Sequence, residues 1–288
     1  MYCIYTDLDV KPDNGNYDHV IPLSLGGHNQ FCVWSDRDFN SKVGEKVDGA
    51  IANDPLIMFA RRDAAARGHS GTDPIPIWKK SEFEGRPIQV SFEKEKLKVW
   101  DSRNRTYLLE EEISGKQFKS NFKIDQFAPL RLAAKVSLGG AYFVYGDLIR
   151  NAIDCDKLRK LINLDVAEAK ADPVIIPHDI VVCDRYHPDT QTNSEAKMFK
   201  MLCEFTKRST FICVPHENHI SFHVGVIGVF LSSIICPAQT SQLPKEGLHA
   251  LGHAVLLGPG TIERLSFRQL AGRLWTFNTG DQPPAPQV

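Results

Sequence analysis

Long apolar runs are missing from this 288-residue sequence. The longest, residues 220–236, is interrupted by His223, Gly225, Gly228, Ser232 and Ser233, and it falls short of the roughly 20 residues a bilayer-spanning helix needs. Its Val and Ile content predicts one or two buried strands and no membrane contact. Net charge is missing as well. Lys plus Arg number 34 against 35 for Asp plus Glu, so no global positive field draws the chain onto a polyanion, and any basic footprint has to be local. Residues 1–7 hold no cationic segment ahead of an apolar stretch, which predicts the absence of a signal peptide and a cytoplasmic location. Cysteine is sparse and unpaired: seven residues, at 3, 32, 155, 183, 203, 213 and 236, make an odd number without tight spacing, as expected of free thiols in a reducing compartment. No internal repeat is present.

What is present is the composition of a globular chain, 42% hydrophobic and 24% charged. The length accommodates two modules, since domains usually run on the order of 100 to 200 residues. Residues 2–34 are short strand-like pieces punctuated by the turn signals Pro12-Asp13-Asn14-Gly15 and Gly26-Gly27. Ser35 or Asp36 can cap a helix running to about Ile51, with Val43, Val47 and Ile51 on one face at four-residue spacing. Asp54-Pro55 starts a second helix that Arg67-Gly68 ends, and 69–76 reads as a linker. Beyond it, 87–92, 97–100 and 106–109 look like a small antiparallel meander, followed by helical patterns over about 128–145 and 146–164. Strand-like runs at 174–176, 180–183, 210–214, 220–236 and 253–257 alternate with one helix near 194–208, and the tail 282–288 has a disordered, Pro-rich composition. The expected fold class is α+β, with an N-terminal module over 1–72 and a larger mixed α/β region over 73–288 whose tail begins at about 281.

The chemistry-bearing segment is Tyr17-Asp18-His19-Val20-Ile21-Pro22-Leu23-Ser24-Leu25-Gly26-Gly27-His28-Asn29, followed by Ser35-Asp36-Arg37-Asp38-Phe39-Asn40-Ser41-Lys42. It reduces to an Asp-His at a strand end, a Gly-Gly turn, a second strand and a helix whose first turns carry Asn40, so an acid, an imidazole and a carboxamide surround one point. Phosphodiester hydrolysis needs a nucleophilic water, charge relief on the phosphate and help for the departing 3′ oxygen. A hard divalent cation takes few protein oxygens and keeps open positions for phosphate and water, which suits Asp18 and Asn40. An imidazole such as that of His19 can take a proton from water near neutral pH. Adjacent strand residues point to opposite faces, so a bulged strand end is expected if Asp18 and His19 are to act together.

These residues resemble the HNH, or ββα-metal, endonucleases, in particular the branch that begins Cys-Ile-Tyr-Cys and carries His-Val-Ile-Pro, Leu-Gly-Gly and Asn-x-Lys-x-Gly. The resemblance covers residues 3 to about 50 well and the chain beyond about 70 only weakly. It implies that Asp18 is the first metal ligand, His19 the general base, Asn29 the brace of the loop and Asn40 the second metal ligand. It also implies Mg²⁺ or Mn²⁺ as cofactor and DNA, or RNA, as substrate. The chain departs from its relatives where they carry two zinc-binding Cys-x-x-Cys pairs: Cys3 is followed by Thr6, and Asp36 and Phe39 stand at the second pair. A closed structural site needs about four ligands, so no structural zinc is expected.

His28, Lys42 and Lys46 are further candidates for phosphate contact, as are Lys116 and Lys119 in Lys116-Gln117-Phe118-Lys119-Ser120-Asn121-Phe122-Lys123. That last segment also fits an amphipathic piece with Phe118 and Phe122 in a core, the preferred reading. His216-Glu217-Asn218-His219 with His223 has the wrong spacing for His-Glu-x-x-His and reads as a polar loop entering a buried strand. Three function classes stay open: a DNA endonuclease; a non-catalytic nucleic-acid-binding module; and an effector subunit, as in bacterial antiviral defence, that cuts only when a protein partner, a signal ligand or self-assembly engages 73–288.

Overall fold

The computed structural model of the chain describes residues 1–94, 96–122, 124–165, 167, 169, 177–186, 194–244 and 253–280. Strand β1 (Tyr2–Cys3) pairs with β2 (Leu8–Asp9), and β3 (Gly15–His19) pairs antiparallel with β4 (Cys32–Asp36) in unbroken register from Gly15 opposite Asp36 to His19 opposite Cys32. Asp36 then caps α1 (Arg37–Val43), its side chain accepting from the Phe39 N–H at 2.9 Å. The helix does not stay α. Gly44–Asp48 is a π turn, after which α2 (Gly49–Ala52) completes the rod. A four-residue step overshoots an α turn of about 3.6 residues, so a row at strict four-residue spacing winds around an α-helix. The wider i→i+5 turn takes that drift back, which keeps Val43, Val47 and Ile51 together in the core. The expected second helix is shorter than its sequence pattern: α3 (Pro55–Asp63) is capped by Asp54 and stops before Ala65, whose φ of +50° no helix continues through.

The segment after the linker forms a five-stranded antiparallel sheet in the order β8-β7-β6-β5-β9, made of β5 (Ile77–Phe83), β6 (Arg86–Phe92), β7 (Leu97–Asp101), β8 (Thr106–Tyr107) and β9 (Lys119–Ser120), with the short helix α4 (Glu110–Ile113) between the last two. Phe83, Ile88, Val90 and Val99 make its own small core. Phe118 packs against that core, but Phe122 does not enter it: 44% of it stays exposed, edge-on to Trp78, because the chain has left β9 by then.

Helix α5 (Ala128–Tyr145) is buried along nearly its whole length, and α6 (Leu148–Ala152) and α7 (Cys155–Ile162) replace the single helix expected over 146–164. A six-stranded, fully antiparallel sheet follows in the order β10-β13-β12-β11-β14-β15, from β10 (Val181–Asp184), β11 (Ser209–Pro215), β12 (His219–Val226), β13 (Val229–Pro237), β14 (His253–Gly258) and β15 (Thr261–Ser266). The apolar run 220–236 is thus two strands turning at Ile227 and Gly228, both left-handed. Both faces are covered: Phe211, Cys213, Val255 and Leu257 face α5, whereas Ile212, Val214, Ala254 and Leu256 face α8 (Ser194–Thr206) and α9 (Phe267–Thr279). The strand and helix after residue 260 were not expected from sequence. Residues 174–176 and the tail from 281 lie outside the described residues. Among the described residues, no helix is long and apolar enough to cross a membrane.

A boundary at 72/73 separates segments that share one core. Ile4, Tyr5, Leu25 and Phe31 belong to the same buried cluster as Leu132, Leu138, Phe211 and Phe222. Gly139 and Gly140 of α5 make room for this contact: a Cβ would lie 2.1 Å from the Tyr5 hydroxyl on the first and 2.7 Å from the Phe211 ring on the second. Arg159 of α7 donates to the Ile4 carbonyl at 3.0 Å, and Arg131 of α5 donates to the Lys46 carbonyl at 3.1 Å.

Candidate functional site

The end of β3, the loop 20–31 and the cavity-facing row of the π-containing helix enclose a cavity of about 330 Å³, lined among others by Asn16, Asp18, His19, Asn40, Asp48 and His69. Three of the four residues expected to do chemistry, Asp18, His19 and Asn40, therefore meet. The fourth, Asn29, reaches the site through His19: its Oδ1 lies 3.0 Å from His19 Nε2. The bulge expected at the strand end is absent, since the β3–β4 register is regular to its last pair. Both side chains line the cavity because His19 is the terminal residue of β3, where the chain is turning out of the sheet.

The loop is held rigidly for its length. Pro22 leads into a turn over Leu23–Leu25 that Gly26 closes at φ +78°, and a Cβ on Gly27 would lie 1.8 Å from the Ile21 carbonyl oxygen, so neither glycine tolerates a side chain. Arg61 of α3 donates to the carbonyls of Ser24 at 2.7 Å and Ala52 at 2.8 Å, tying the loop to the helix. Burial lowers the Arg61 pKa. Across the cavity mouth the His69 ring stands edge-on to His19 at 5.6 Å.

On the helix side, Asn40 donates its amide N–H to Asn16 Oδ1 at 3.2 Å. That commits the nitrogen and leaves the carboxamide oxygen as the group able to meet a cation. At the floor sits an ionic cluster absent from the expected set. Lys135 of α5, fully buried, places its Nζ 2.9 Å from Asp48 Oδ2 and 3.3 and 3.2 Å from Asp18 Oδ1 and Oδ2. Burial raises the Asp18 pKa against the pull of Lys135, and the Asp48 charge raises it further. For Lys135, burial works against the charged form, but the two carboxylates prevail and its pKa rises. One ammonium does not saturate two carboxylates. Asp48 Oδ1 is buried and receives no hydrogen bond, and Asp18 Oδ2 has only its 3.2 Å contact with Lys135. Carboxylate oxygens in a cavity that also presents a carboxamide are the donor chemistry of a hard divalent cation, although among the described residues no three His, Cys, Asp or Glu side chains converge as a cage.

The expected phosphate contacts do not gather here. His28 accepts from the Gln30 N–H at 3.2 Å and is not among the lining residues. Lys42 and Lys46 line a different cavity, beside Arg131 and Asn163, because helical geometry turns them away from Asn40. Lys116 is paired with Glu84 at 2.9 Å, and Lys119 lies on β9 of the small sheet opposite Glu82. At the sequence positions considered for zinc ligation, Cys3 accepts from the Asp36 N–H at 3.4 Å, Asp36 is spent on the helix cap, and Phe39 stacks on Tyr5 at 5.2 Å. Cys32 donates to the Asn29 carbonyl at 3.0 Å, and burial, with the Asp18 charge, pushes its thiol up to about 11. His216 lies in the loop between β11 and β12 and His219 opens β12, so the segment is the polar loop entering a buried strand that its spacing suggested; His223 is buried between the hydroxyls of Ser233 at 2.6 Å and Ser221 at 3.0 Å.

Sequence reasoning missed Asp48, Lys135, Asn16 and His69. Asp48 had a signal, the row 40, 44, 48 at the same four-residue spacing as the valines. Lys135 had a weaker one, a cation following Arg131 inside the apolar helix Leu130-Arg131-Leu132-Ala133-Ala134-Lys135-Val136, where an unpaired charge is costly. Compared with protein-family models, with curated protein sequences and with solved structures, the chain matches none of them.

Proposed function

We propose that the chain is a metal-dependent endonuclease that hydrolyses DNA phosphodiester bonds, with His19 as general base. The observation that carries this reading is the single cavity lined by Asp18, His19 and Asn40 at the junction of two antiparallel strands and a helix. An amide oxygen only accepts, so the bond to Asn29 assigns the proton of neutral His19 to Nε2 and leaves the Nδ1 lone pair to deprotonate water. Asn29 is then a positioning residue that fixes the tautomer. Asp18 and Asn40 would hold Mg²⁺ or Mn²⁺, with Asp48 close by, and the bound ion would supply relief of the negative charge that builds on phosphate and leaving oxygen. Asn16 holds the Asn40 carboxamide in orientation, and Arg61 holds the loop.

A second reading has one observation in its favour. Lys135 engages the Asp18 carboxylate, as expected of an effector whose cation site forms only when a partner or signal ligand engages residues beyond 73. Metal titration of cleavage separates the roles. Asp18→Ala and Asn40→Ala should lose activity at low Mn²⁺ and regain part of it at high Mn²⁺, whereas His19→Ala should not be rescued. Rescue of His19→Ala alone would reverse the assignment.

A further inference from the structure

A second cavity, of about 250 Å³, abuts the first. Leu23 lines both; Gly26 and Gly27 line the second from the same loop, and where His69 faces the first cavity its neighbours Arg67 and Gly68 face the second. The far wall comes from the C-terminal sheet: Lys207, Arg208 and Ser209 entering β11, Ile227 of the β12–β13 turn, and the turn Gly258-Pro259-Gly260. Ser209 fastens the two walls, donating its hydroxyl to the Leu25 carbonyl and accepting from the Ile227 N–H at 2.9 Å.

Its charge is one-sided. Arg67, Lys207 and Arg208 line it, and no Asp or Glu is among the lining residues. Asp73 and Glu263 pair with the two arginines from outside the lining, at 2.7 and 3.1 Å, and Lys207 has no carboxylate partner among the described residues. Its backbone is also unusual. Of the non-glycine residues with positive φ, Ala65 (+50°), Lys207 (+52°) and Ile227 (+51°) all line this cavity, with Gly26, Gly68 and Gly260 in the same region of φ. Left-handed side-chain-bearing residues are held there only when their surroundings over-determine them, and they concentrate at ligand clamps.

We infer that this cavity is a phosphate-binding strip for the nucleic-acid strand whose scissile phosphate is brought to His19, with Lys207, Arg67 and Arg208 taking flanking phosphates. The inference rests on the nuclease reading but concerns binding alone. It locates the local basic footprint that a chain of balanced charge needs, and it draws the cations from both sides of the 72/73 boundary.

The test is equilibrium binding of a fluorescent DNA duplex to the full chain across a salt series, in chelator so that nothing is cut. Lys207→Gln and Arg67→Gln change exposed side chains. Each should weaken binding and flatten the slope of log K against log salt by about one phosphate contact, and Lys207→Arg should restore the slope. Lys42→Gln and Lys46→Gln, on the other cavity, should leave it unchanged. An unchanged slope in Lys207→Gln and Arg67→Gln overturns the inference. So does saturable binding of inorganic phosphate that Lys207→Gln abolishes without weakening DNA, which would mark a small-anion site. Plasmid cleavage run in parallel keeps the two claims apart: slopes that fall as expected in a chain that never cuts support the strip and sink the nuclease reading, and cleavage with unmoved slopes does the reverse.

Discussion

At the scale of single residues, the Asn29–His19 bond makes two separable predictions. Asn29→Ala frees the imidazole to adopt either tautomer and orientation, and loss of such an orienting partner typically costs about 10–100-fold; kcat on a plasmid or oligonucleotide substrate should fall by that much, with fold and thermal midpoint retained. Asn29→Asp instead sets a carboxylate on Nε2. That favours the protonated ring in the variant, so the acid limb of the pH–rate profile should move to higher pH. A profile unmoved in Asn29→Asp would mean the bond has no part in catalysis. His223 predicts a stability effect away from the site. Burial, with a smaller contribution from His216, holds its pKa well below the ordinary 6.5. The folded state therefore binds fewer protons than the unfolded one below that value, so its contribution to stability is complete above pH 6.5 and is lost as pH falls toward the folded-state pKa. Denaturation midpoints measured between pH 7.5 and 5.5 should decline on acidification, and His223→Gln should flatten the decline.

At the scale of elements, α5 joins core and site. Its apolar faces bury against the six-stranded sheet and the N-terminal loop, and its one internal lysine neutralises the floor of the cavity. Lys135→Met would leave Asp18 and Asp48 as buried like charges, and breaking a buried pair by removing one partner costs about 3–5 kcal/mol. Urea denaturation should report a loss of that size, and adding Asp18→Asn and Asp48→Asn to Lys135→Met should recover much of it. Regular elements were legible in the sequence where one pattern dominated: α5 matches its expected bounds, and the short, nearly continuous apolar runs 210–214 and 253–257 are strands buried on both faces. The π turn is not legible because four-residue spacing resembles an α-helical row, although strict repetition of that step is what an α-helix cannot keep on one face. The residues after 260 were missed because Thr261–Ser266 mixes charge into an edge strand whose first four residues stay exposed or half-buried. In the site, Asp18, His19, Asn29 and Asn40 were legible because they are local to one loop and one helix, whereas Lys135 reaches Asp18 across 117 residues of chain, which no local pattern encodes.

At the scale of the whole molecule, residues 1–72 line the candidate cavity but do not support it alone. Tyr5, Leu25 and Phe31 are buried against α5 and the six-stranded sheet, Lys135 pairs with the cavity-lining Asp18 and Asp48, and the neighbouring basic cavity takes Lys207 and Arg208 from the far side. Residues 1–72 expressed alone should lack a cooperative thermal transition, because those apolar side chains would face water; a dispersed, cooperatively melting fragment would contradict this. Within the intact chain, β3, β4 and the helix bring the His19 imidazole, the Asp18 and Asp48 carboxylates and the Asn40 carboxamide to one cavity, beside a second cavity lined by cations. The most direct measurement of what that arrangement does is cleavage of supercoiled plasmid by the full chain in Mg²⁺ or Mn²⁺, wild type against His19→Ala. The account predicts nicked and linear product from wild type, arrested by chelator, and a rate lower by about 10²–10⁴-fold in His19→Ala. Cleavage by His19→Ala at the wild-type rate, in protein of unchanged stability, would contradict it.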